Sequence, residues 1–447
     1  MNSDTIAAIA TSAGMGGIGI IRISGSASMR ILGDIFRPAS GKPMQNRYLT
    51  YGKVMDGDET VDACMAVIMR APASYTREDV AEIQTHGGPF VMHRVLQLCL
   101  SRGARLAEPG EFTRRAFENG RIDLSQAEGV MQLIAARGEE EYRAAVRQME
   151  GGAAAFVRKA ADALYQLQAG LAACIDYPEE ISDEEGAGEL REGLEKLIHW
   201  LEESVDEHGA RLVNEGVQVT LYGAPNAGKS SLLNALSGRE RAIVTDIPGT
   251  TRDIIEDEIV LDGFRIRLTD TAGLRETGDP IEKIGVERSK AAMRNADLVL
   301  LVLDGSREVT EAEKEQIRQL DDRAIAVINK SDLEDVLREA DVRKMNPDVR
   351  CITVSAMEEE SLKPLKNMIR SMVAGVKSLS LTQPRHLDAI RRAIAHLEDA
   401  KRTLETWSPD MAATDLEAAQ AALGEITGDR VDEKLLDTVF SSFCVGK

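Results

Sequence analysis

The stretch Gly223-Ala-Pro-Asn-Ala-Gly-Lys-Ser230 decides the fold of the central part of the chain. It fits the pattern G-x-x-x-x-G-K-S/T, with an apolar run before it (217–222) and residues of helical spacing after it (231–236). A strand, a glycine-rich loop and a helix in this order bind phosphate, because backbone N–H groups and the helix N-terminus surround the anion. A plain glycine turn would not require Lys-Ser. The pattern predicts that Lys229 contacts the β- and γ-phosphates and that Ser230 ligates Mg²⁺.

A later pair of motifs identifies the base as guanine. Asn329-Lys-Ser-Asp332 follows a strand predicted at 324–328, and Asp332 can accept hydrogen bonds from guanine N1–H and the 2-amino group. Adenine lacks this pair of donors, so the acceptor would stay unpaired. Ser355-Ala356, after a predicted strand at 351–354, can offer a backbone N–H to the guanine carbonyl. These motifs predict a GTPase.

The motif Asp270-Thr-Ala-Gly273 follows a strand predicted at 265–268. Asp270 is expected to support the Mg²⁺ shell, and the Gly273 N–H is expected to contact the γ-phosphate. Small GTPases of the Ras kind place a glutamine at the next position to orient the attacking water, but here Leu274 follows. Leucine cannot orient water, so another group must do so.

The candidates for that task lie in three places. The loop 245–253 supplies Thr251 as a Mg²⁺ ligand, Asn226 lies in the phosphate loop, and Glu282 lies in an acidic helix start. Arg252 and Arg275 could neutralise developing charge, although surface arginines are more often solvated.

Composition limits the partners of the chain. With 447 residues, 43% of them hydrophobic, about two to four domains with ample core are expected. The net charge of −20 disfavours broad attachment to nucleic acid or anionic lipid, so any nucleic-acid contact should be local or shared with a basic partner. Five scattered cysteines, an acidic N-terminus and the lack of a long apolar run favour a cytoplasmic protein without a membrane span.

The N-terminal residues 1–118 are predicted to form an α+β domain, with strands at 5–11 and 18–23 and a helix at 91–100. The glycines between the two strands match G-x-G-x-x-G, but a strand rather than a helix follows, so a dinucleotide site is rejected in favour of a hairpin or a ligand-covering loop. The polar run 74–89 is either a pocket or a decorated loop.

Long helices are predicted for residues 119–213 and 376–447, interrupted by an acidic break at 176–189. Ser125-Gln-Ala-Glu128 fits a capping box at the start of the first helix. The two helical segments most simply pack on each other, which makes 214–375 an inserted nucleotide domain. Two separate helical hairpins are the alternative.

Further motifs lie at the two ends of the chain and in the nucleotide domain. Those at the ends are Arg22-Ile-Ser-Gly25, Ser74-Tyr-Thr76 with Glu78-Asp79, Pro109-Gly-Glu-Phe112, Phe117-Glu-Asn-Gly120 and Phe443-Cys-Val-Gly-Lys447, and the nucleotide domain adds Gly249-Thr-Thr-Arg-Asp253. With these motifs in the same order, the whole chain resembles the MnmE (TrmE) family of tRNA-modifying GTPases, and the motifs at the ends are the more specific ones.

This resemblance implies an N-terminal folate-binding and dimerisation domain, a discontinuous helical domain and an inserted Ras-like P-loop domain. It implies a homodimer that works with the flavoprotein MnmG, which carries FAD, as a heterotetramer on tRNA. The reaction implied modifies the 5-position of wobble uridine 34 with a one-carbon unit from 5,10-methylene-tetrahydrofolate, for which 5-formyl-tetrahydrofolate is an analogue. The folate-contacting positions carried over are Arg22, Glu82, Arg121 and Lys447.

The resemblance also implies a potassium-activated GTPase. Asn226, Thr245, Ile247 and Thr250 are identified as K⁺ ligands, Ser230 and Thr251 as Mg²⁺ ligands, and Glu282 as the residue that orients water. The GTP-binding residues so identified are Asn226, Ala227, Gly228, Lys229, Ser230, Ser231, Thr245, Asp246, Ile247, Pro248, Gly249, Thr250, Thr251, Asp270, Thr271, Ala272, Gly273, Asn329, Lys330, Asp332, Ser355 and Ala356.

Two alternatives stay open at this point. Cys444 is either a nucleophile or one-carbon carrier, or a small residue packed beside Phe440 and Phe443. The chain as a whole is either this modification enzyme or a regulatory GTPase of ribosome assembly without chemistry of its own. The second hypothesis would require a basic RNA-binding domain, which the acidic composition does not provide.

Overall fold

The computed structural model describes residues 4–12, 14–177, 183–237, 256–261, 263–270, 294, 296–373, 381–405 and 409–447. These residues form two compact units. The first contains Met1–Met131, Gln148–His199 and Ala389–Lys447, and the second contains Gln132–Arg147 and Trp200–Asp388. The domain boundaries at 118, 213 and 375 stay predictions.

A seven-stranded sheet dominates the N-terminal part of the first unit. Its order is β3-β4-β5-β6-β2-β1-β7, and its pairs are antiparallel except the edge pair β1–β7. The strands are β1 Ile6–Ile9, β2 Ile18–Ser24, β3 Phe36–Pro38, β4 Thr50–Asp56, β5 Glu59–Met69, β6 Val80–His86 and β7 Arg105–Leu106, and the helices are α1 Ser28–Ile35, α2 Pro89–Ser101 and α3 Glu111–Glu118.

Alternation along β2 assigns its side chains to two faces. Ile21 and Ile23 are fully buried in a core shared with α1 and α2. Because successive strand residues point to opposite faces, Arg22 lies on the other face, beside the smaller cluster that contains Phe112 and Tyr75. The predicted strands and helix are therefore confirmed, and the glycines before Ile18 lead into a strand rather than a nucleotide-binding helix.

A buried charge network attaches α3 to this sheet. Arg115 is 2% exposed and its guanidinium binds Glu111 at 2.9 Å, Asp4 at 2.8 Å and Glu78 at 3.3 Å. Burial alone would raise the pKa of the Glu111 carboxyl, but hydrogen bonds from Arg105, the Glu108 N–H and Arg115 outweigh it and lower that pKa. The network fixes the helix that leads to Arg121.

Five helices follow among the described residues up to position 215: α4 Leu124–Ala135, α5 Glu139–Met149, α6 Gly152–Asp176, α7 Asp183–Ser204 and α8 Glu207–Glu215. The capping box was predicted two residues too late. Gln126 N donates to Asp123 Oδ1 at 2.9 Å and Asp123 N donates to Gln126 Oε1 at 3.0 Å, because aspartate caps a helix as well as serine does. The acidic break is also shorter than predicted, since α7 begins at Asp183 and acidic residues suit a first helical turn.

Within its described residues, the second unit contains a six-stranded sheet of order β13-β12-β11-β8-β10-β9, parallel except for the β9–β10 hairpin. β11 and β12 are buried along their whole length and apolar up to their last residues, Asp304 and Asn329, as expected of central parallel strands covered on both faces. The elements are β8 Val217–Tyr222, α9 Lys229–Ser237, β9 Glu256–Leu261, β10 Phe264–Asp270, β11 Leu298–Asp304, α10 Glu311–Arg318, β12 Ala324–Asn329, α11 Glu339–Met345, β13 Arg350–Thr353 and α12 Lys363–Val373.

The chain ends in α13 Pro384–Glu405, α14 Pro409–Thr427 and α15 Glu433–Ser441. These helices contact those that precede the parallel sheet in sequence. Lys401 Nζ on α13 lies 2.9 Å from Glu195 Oε1 on α7, and Gln168 on α6 donates to Gln420 on α14 at 3.4 Å. Residues 148–199 and 389–447, from the two sides of the parallel sheet in sequence, thus lie in one compact unit. The discontinuous helical domain of 119–213 and 376–447 stays a prediction.

Candidate functional site

The loop between β8 and α9 has the conformation that a phosphate loop requires. Gly223 and Gly228 have φ values of 145° and 94°, and Asn226 has a φ of 65°. Lys229 is 5% exposed, and its Nζ donates to the carbonyl oxygens of Gly223 and Ala224, each at 2.8 Å. The Lys229 side chain therefore crosses the loop that is predicted to bind the phosphate oxygens.

The start of α9 carries the other predicted phosphate and Mg²⁺ residues. Ser230 and Ser231 are exposed in its first turn, while Ala227 is fully buried beneath the loop. Asp270 ends β10, where its backbone pairs with Leu221 of β8. The strand before the phosphate loop and the strand that ends in Asp270 are thus direct neighbours in the sheet. Their carboxyl ends lie side by side, which is the place where adjacent nucleotide motifs are expected to meet.

The predicted base-binding residues converge on the same edge of the sheet. Asn329 is 2% exposed; its Nδ2 donates to Ala227 O at 3.0 Å, and its Oδ1 accepts from Ala356 N at 3.0 Å. The Ser355 hydroxyl donates to Asp332 Oδ1 at 2.5 Å. Asn329 consequently joins the phosphate loop to the Ser355-Ala356 turn, and Asp332 is exposed for a ligand.

An acidic residue missed by sequence reasoning, Asp304, lies at the end of β11. Its Oδ2 accepts from Lys330 Nζ at 2.6 Å, and its Oδ1 accepts from Ser306 N at 3.0 Å and Ser306 Oγ at 2.6 Å. Burial would raise the pKa of this carboxyl, but the hydrogen bonds from Lys330 and Ser306 outweigh burial and hold the pKa below its ordinary value. The signal in the sequence was a carboxylate that closes a run of six apolar residues.

The remaining nucleotide predictions lie outside the described residues. They concern the Mg²⁺ ligand Thr251, the K⁺ ligands other than Asn226, the water-orienting residue, the candidate charge-neutralising residues Arg252 and Arg275, and their neighbours, and they stay predictions. These are Thr245, Asp246, Ile247, Pro248, Gly249, Thr250, Thr251, Arg252, Thr271, Ala272, Gly273, Arg275 and Glu282.

A second site lies on the N-terminal sheet. Arg22 on β2 faces Glu82 on β6 in register, and Arg22 Nε donates to Glu82 Oε1 at 2.8 Å. The Arg22 guanidinium lies 5.8 Å from the Tyr75 ring centre, and that of Arg121 lies 5.2 Å from the same ring. Tyr75 therefore brings together two predicted folate-contacting arginines from distant segments.

The C-terminal pentapeptide docks at this second site. Gly446 O accepts from Arg22 Nη1 at 3.3 Å, Lys447 O accepts from Phe112 N at 3.1 Å, and Cys444 O accepts from Gly110 N at 3.4 Å. Gly446 has a φ of 96°, and a Cβ atom there would lie 2.4 Å from Ile9 O. The first and last segments of the chain thus form one site.

The surroundings of Cys444 separate it from the other cysteines. Cys64, Cys99, Cys174 and Cys351 are buried, and burial raises the pKa of the Cys64 and Cys99 thiols to about 12. Cys444 is exposed, whereas Phe440 and Phe443 are packed in a cluster with Leu124 and Ala127. The packed-residue alternative does not describe the Cys444 side chain.

The phosphate loop after β8 and the Asn329–Asp332 turn after β12, on one parallel sheet, define a P-loop GTPase. The chain belongs to the MnmE family of tRNA modification GTPases. Residues 124–444 match the family model described as the MnmE helical domain, and residues 5–121 match that of the GTP-binding protein TrmE N-terminus. The predicted fold class, the family and GTPase activity are confirmed, as is a role in tRNA modification.

Curated relatives match over the full length. The tRNA modification GTPase MnmE of Alkaliphilus oremlandii is 42% identical and that of Symbiobacterium thermophilum is 44% identical, with 99% and 100% of both chains covered, respectively. Among solved structures, the G domain of the T. maritima FeoB iron transporter is 28% identical with a TM-score of 0.27, covering 35% of this chain and 98% of that chain. None of the helices in the described ranges contains an apolar stretch of the length that a membrane span needs.

Proposed function

We propose that this chain is a potassium-activated, Mg²⁺-dependent GTPase that acts in the cytoplasm as a homodimer with the FAD-carrying flavoprotein MnmG. Together they would install the aminomethyl or carboxymethylaminomethyl group at the 5-position of wobble uridine 34 in certain tRNAs. A tetrahydrofolate supplies the one-carbon unit. The observation that carries this proposal is the docking of the C-terminal tail beside the Arg22–Glu82 pair.

The chemistry of this second site suits a folate. Arg22, Arg121 and Lys447 are cationic residues that attract the carboxylates of the folate glutamate, while the Glu82 carboxylate can accept hydrogen bonds from N–H groups of the pterin. Arg22 is only 20% exposed and Glu82 only 16%, so a bound anion there would be partly shielded from water. When bound, the folate supplies the one-carbon unit, and the exposed Cys444 is positioned by the tail as the proposed nucleophile or carrier.

The GTPase reaction is assigned to the phosphate loop. Lys229 would hold the β- and γ-phosphates, and Ser230 with Thr251 would ligate Mg²⁺. Leu274 stands where small GTPases of the Ras kind have the water-orienting glutamine, so Glu282 would orient the water instead. A K⁺ ion held by Asn226, Thr245, Ile247 and Thr250 would neutralise the charge that develops on the phosphates. The support is Asn226, which is exposed at the tip of the loop with a left-handed backbone.

Within the second unit, two contacts between α5 and the β9–β10 hairpin suit the transmission of GTP hydrolysis to the helices. Glu140 N, in α5, donates to Gly263 O at the tip of the β9–β10 hairpin at 3.1 Å, and Arg265 Nε lies 3.0 Å from Glu141 Oε1. The hairpin runs between the predicted Mg²⁺ loop 245–253 and Asp270. We propose that movement of these nucleotide motifs displaces the start of α5 through this hairpin.

Potassium dependence is the first test of the proposed hydrolysis. GTP turnover by the intact chain should rise by about tenfold or more when K⁺ replaces Na⁺ at equal ionic strength, because a dehydrated K⁺ replaces the missing charge-neutralising group. Turnover is measured as phosphate release. Equal rates in the two salts would exclude the potassium part, and parental turnover by Glu282→Ala would exclude its role in orienting water.

Base selectivity provides the second test. Asp332→Asn should shift preference from GTP to xanthosine triphosphate by about 100-fold. The new side-chain amide presents an N–H donor to position 2 of the base, where guanine carries an amino donor and xanthine carries a carbonyl acceptor. Competition against labelled GDP gives both affinities. Retained preference for GTP would show that Asp332 does not contact the base.

A further inference from the structure

The end of β11 is tied to the base-binding turn by two independent contacts. Asp304, which is 9% exposed, receives the Lys330 ammonium on Oδ2 at 2.6 Å. The next residue, Gly305, donates its N–H to Asn329 O at 2.8 Å, and a Cβ atom at Gly305 would lie 2.8 Å from that same oxygen. The backbone of Asn329 and the side chain of Lys330 are therefore both held by this strand end.

The Asp304 carboxylate is itself fixed in place. Its Oδ1 accepts two hydrogen bonds from Ser306, so the other oxygen is directed at Lys330. Arg307 Nε also faces Asp304 Oδ2, but at 4.0 Å, and the Arg307 guanidinium binds Glu313 at 2.6 Å. Lys330 is thus the main cation on Asp304 among the described residues.

Lys330 has an unusual backbone for a residue with a long side chain. Its φ of 69° is in the left-handed region. Lys330 lies in sequence between Asn329, which holds the phosphate loop, and Asp332, which is proposed to contact the base. A free lysine side chain samples many rotamers, and ordering it on ligand binding weakens affinity. Fixing its ammonium in advance leaves the hydrocarbon stem in one position before the nucleotide arrives.

We propose that Asp304 is a positioning residue for guanine nucleotides: it holds Lys330 so that the stem of this side chain forms a preorganised apolar surface against the base. This proposal goes beyond the assigned binding motifs, although it depends on the proposed role of the 329–332 turn in guanine binding. Asp304 does not touch the ligand and acts through Lys330.

A double-mutant cycle in the full-length chain tests this role. The Kd of GDP is measured for the parent, Asp304→Asn, Lys330→Ala and the double variant, at fixed K⁺ and Mg²⁺. Asp304→Asn should weaken GDP binding by about two- to tenfold, the cost of ordering one long side chain. In the Lys330→Ala background the same change should alter Kd by less than about twofold, because there is no side chain left to position. An equal loss in both backgrounds would overturn the proposal.

Two further variants separate positioning from folding. Ser306→Ala removes only the hydroxyl donor to Asp304 Oδ1 and keeps both the Ser306 N–H on that oxygen and the Lys330 ammonium on Oδ2, so it should change the Kd of GDP by less than about twofold. Lys330→Met keeps an apolar stem but loses the anchored ammonium, so this variant should weaken GDP binding. It provides a test even if Asp304→Asn fails to fold, and parental affinity for GDP would overturn the proposal.

Inorganic pyrophosphate, which has no base, should bind the parent and Asp304→Asn equally, and unequal binding would contradict the assignment.

The same cycle distinguishes failure of the proposal from failure of the proposed binding site. If Lys330→Ala and Asp332→Asn both leave GDP affinity and base preference unchanged, the 329–332 turn does not bind guanine. If those variants lose affinity or selectivity but Asp304→Asn matches the parent, the guanine site stands and the role of Asp304 is wrong.

Discussion

Gly228→Ala is expected to weaken GTP and GDP binding by about 100-fold or more, because the substitution both strains the phosphate loop and displaces the base-binding turn. Gly228 has a φ of 94°, which side chains rarely adopt. A Cβ atom there would lie 2.2 Å from Asn329 Nδ2. Asn329 would have to move, although its amide holds both Ala227 and Ala356.

Titration with a fluorescent GDP analogue measures this loss, and Gly88→Ala provides the matched control. Gly88 has a φ of −77°, and a Cβ atom there would meet nothing within 4 Å. The Kd of the GDP analogue for Gly88→Ala should therefore stay within about twofold of the parental value. The Gly228 variant should retain the far-ultraviolet circular dichroism of the parent. Parental affinity in Gly228→Ala would show that nucleotide binds elsewhere.

Gly446→Ala is expected to reduce tRNA modification by about 100-fold while GTP hydrolysis stays within about threefold of the parent. Gly446 has a φ of 96°, and an added Cβ would lie 2.4 Å from Ile9 O and 3.0 Å from Ala10 Cα. These are backbone atoms at the end of β1 and cannot move aside as a flexible side chain could. The tail would be displaced, and with it the hydrogen bond from Arg22 to Gly446 O and the proposed position of Cys444.

The two activities are measured on the same preparation, with modification followed by mass spectrometry of tRNA nucleosides and hydrolysis followed by phosphate release. Gly424→Ala is the matched control, because its Cβ would make only an ordinary 3.8 Å contact with Asp429. It should retain both activities. If Gly446→Ala modifies tRNA at the parental rate, the docked tail has no part in the chemistry. Full modification by Cys444→Ser would remove only the thiol from the mechanism.

Local sequence patterns predicted the elements of the nucleotide site well. The apolar run before Gly223 became β8, and the run ending at Ile328 became β12, because each buries consecutive residues inside a parallel sheet. The order of the motifs then places Lys229, Asn329 and Ala356 at one edge. Hydrogen bonds join Asn329 to Ala227 and Ala356, which no local pattern specifies but the parallel topology makes possible.

Contacts between residues distant in sequence were beyond prediction from the residues alone. Asp304 and Lys330 meet only because β11 and β12 are adjacent, with Asp304 opposite Asn329 in register. Arg22 and Gly446 come from opposite ends of the chain, and only the resemblance to a known family grouped them. The capping error near Asp123 had a different origin, since aspartate and serine compete almost equally to begin a helix.

Mass spectrometry of nucleosides from the tRNA of cells that lack the chain is the decisive test of whether this GTPase modifies wobble uridine. We expect 5-aminomethyl-type uridines to disappear, the intact chain to restore them, and Gly446→Ala to fail to restore them. Unchanged uridines in the deletion strain would contradict the claim, and a regulatory GTPase of ribosome assembly would then be the better description.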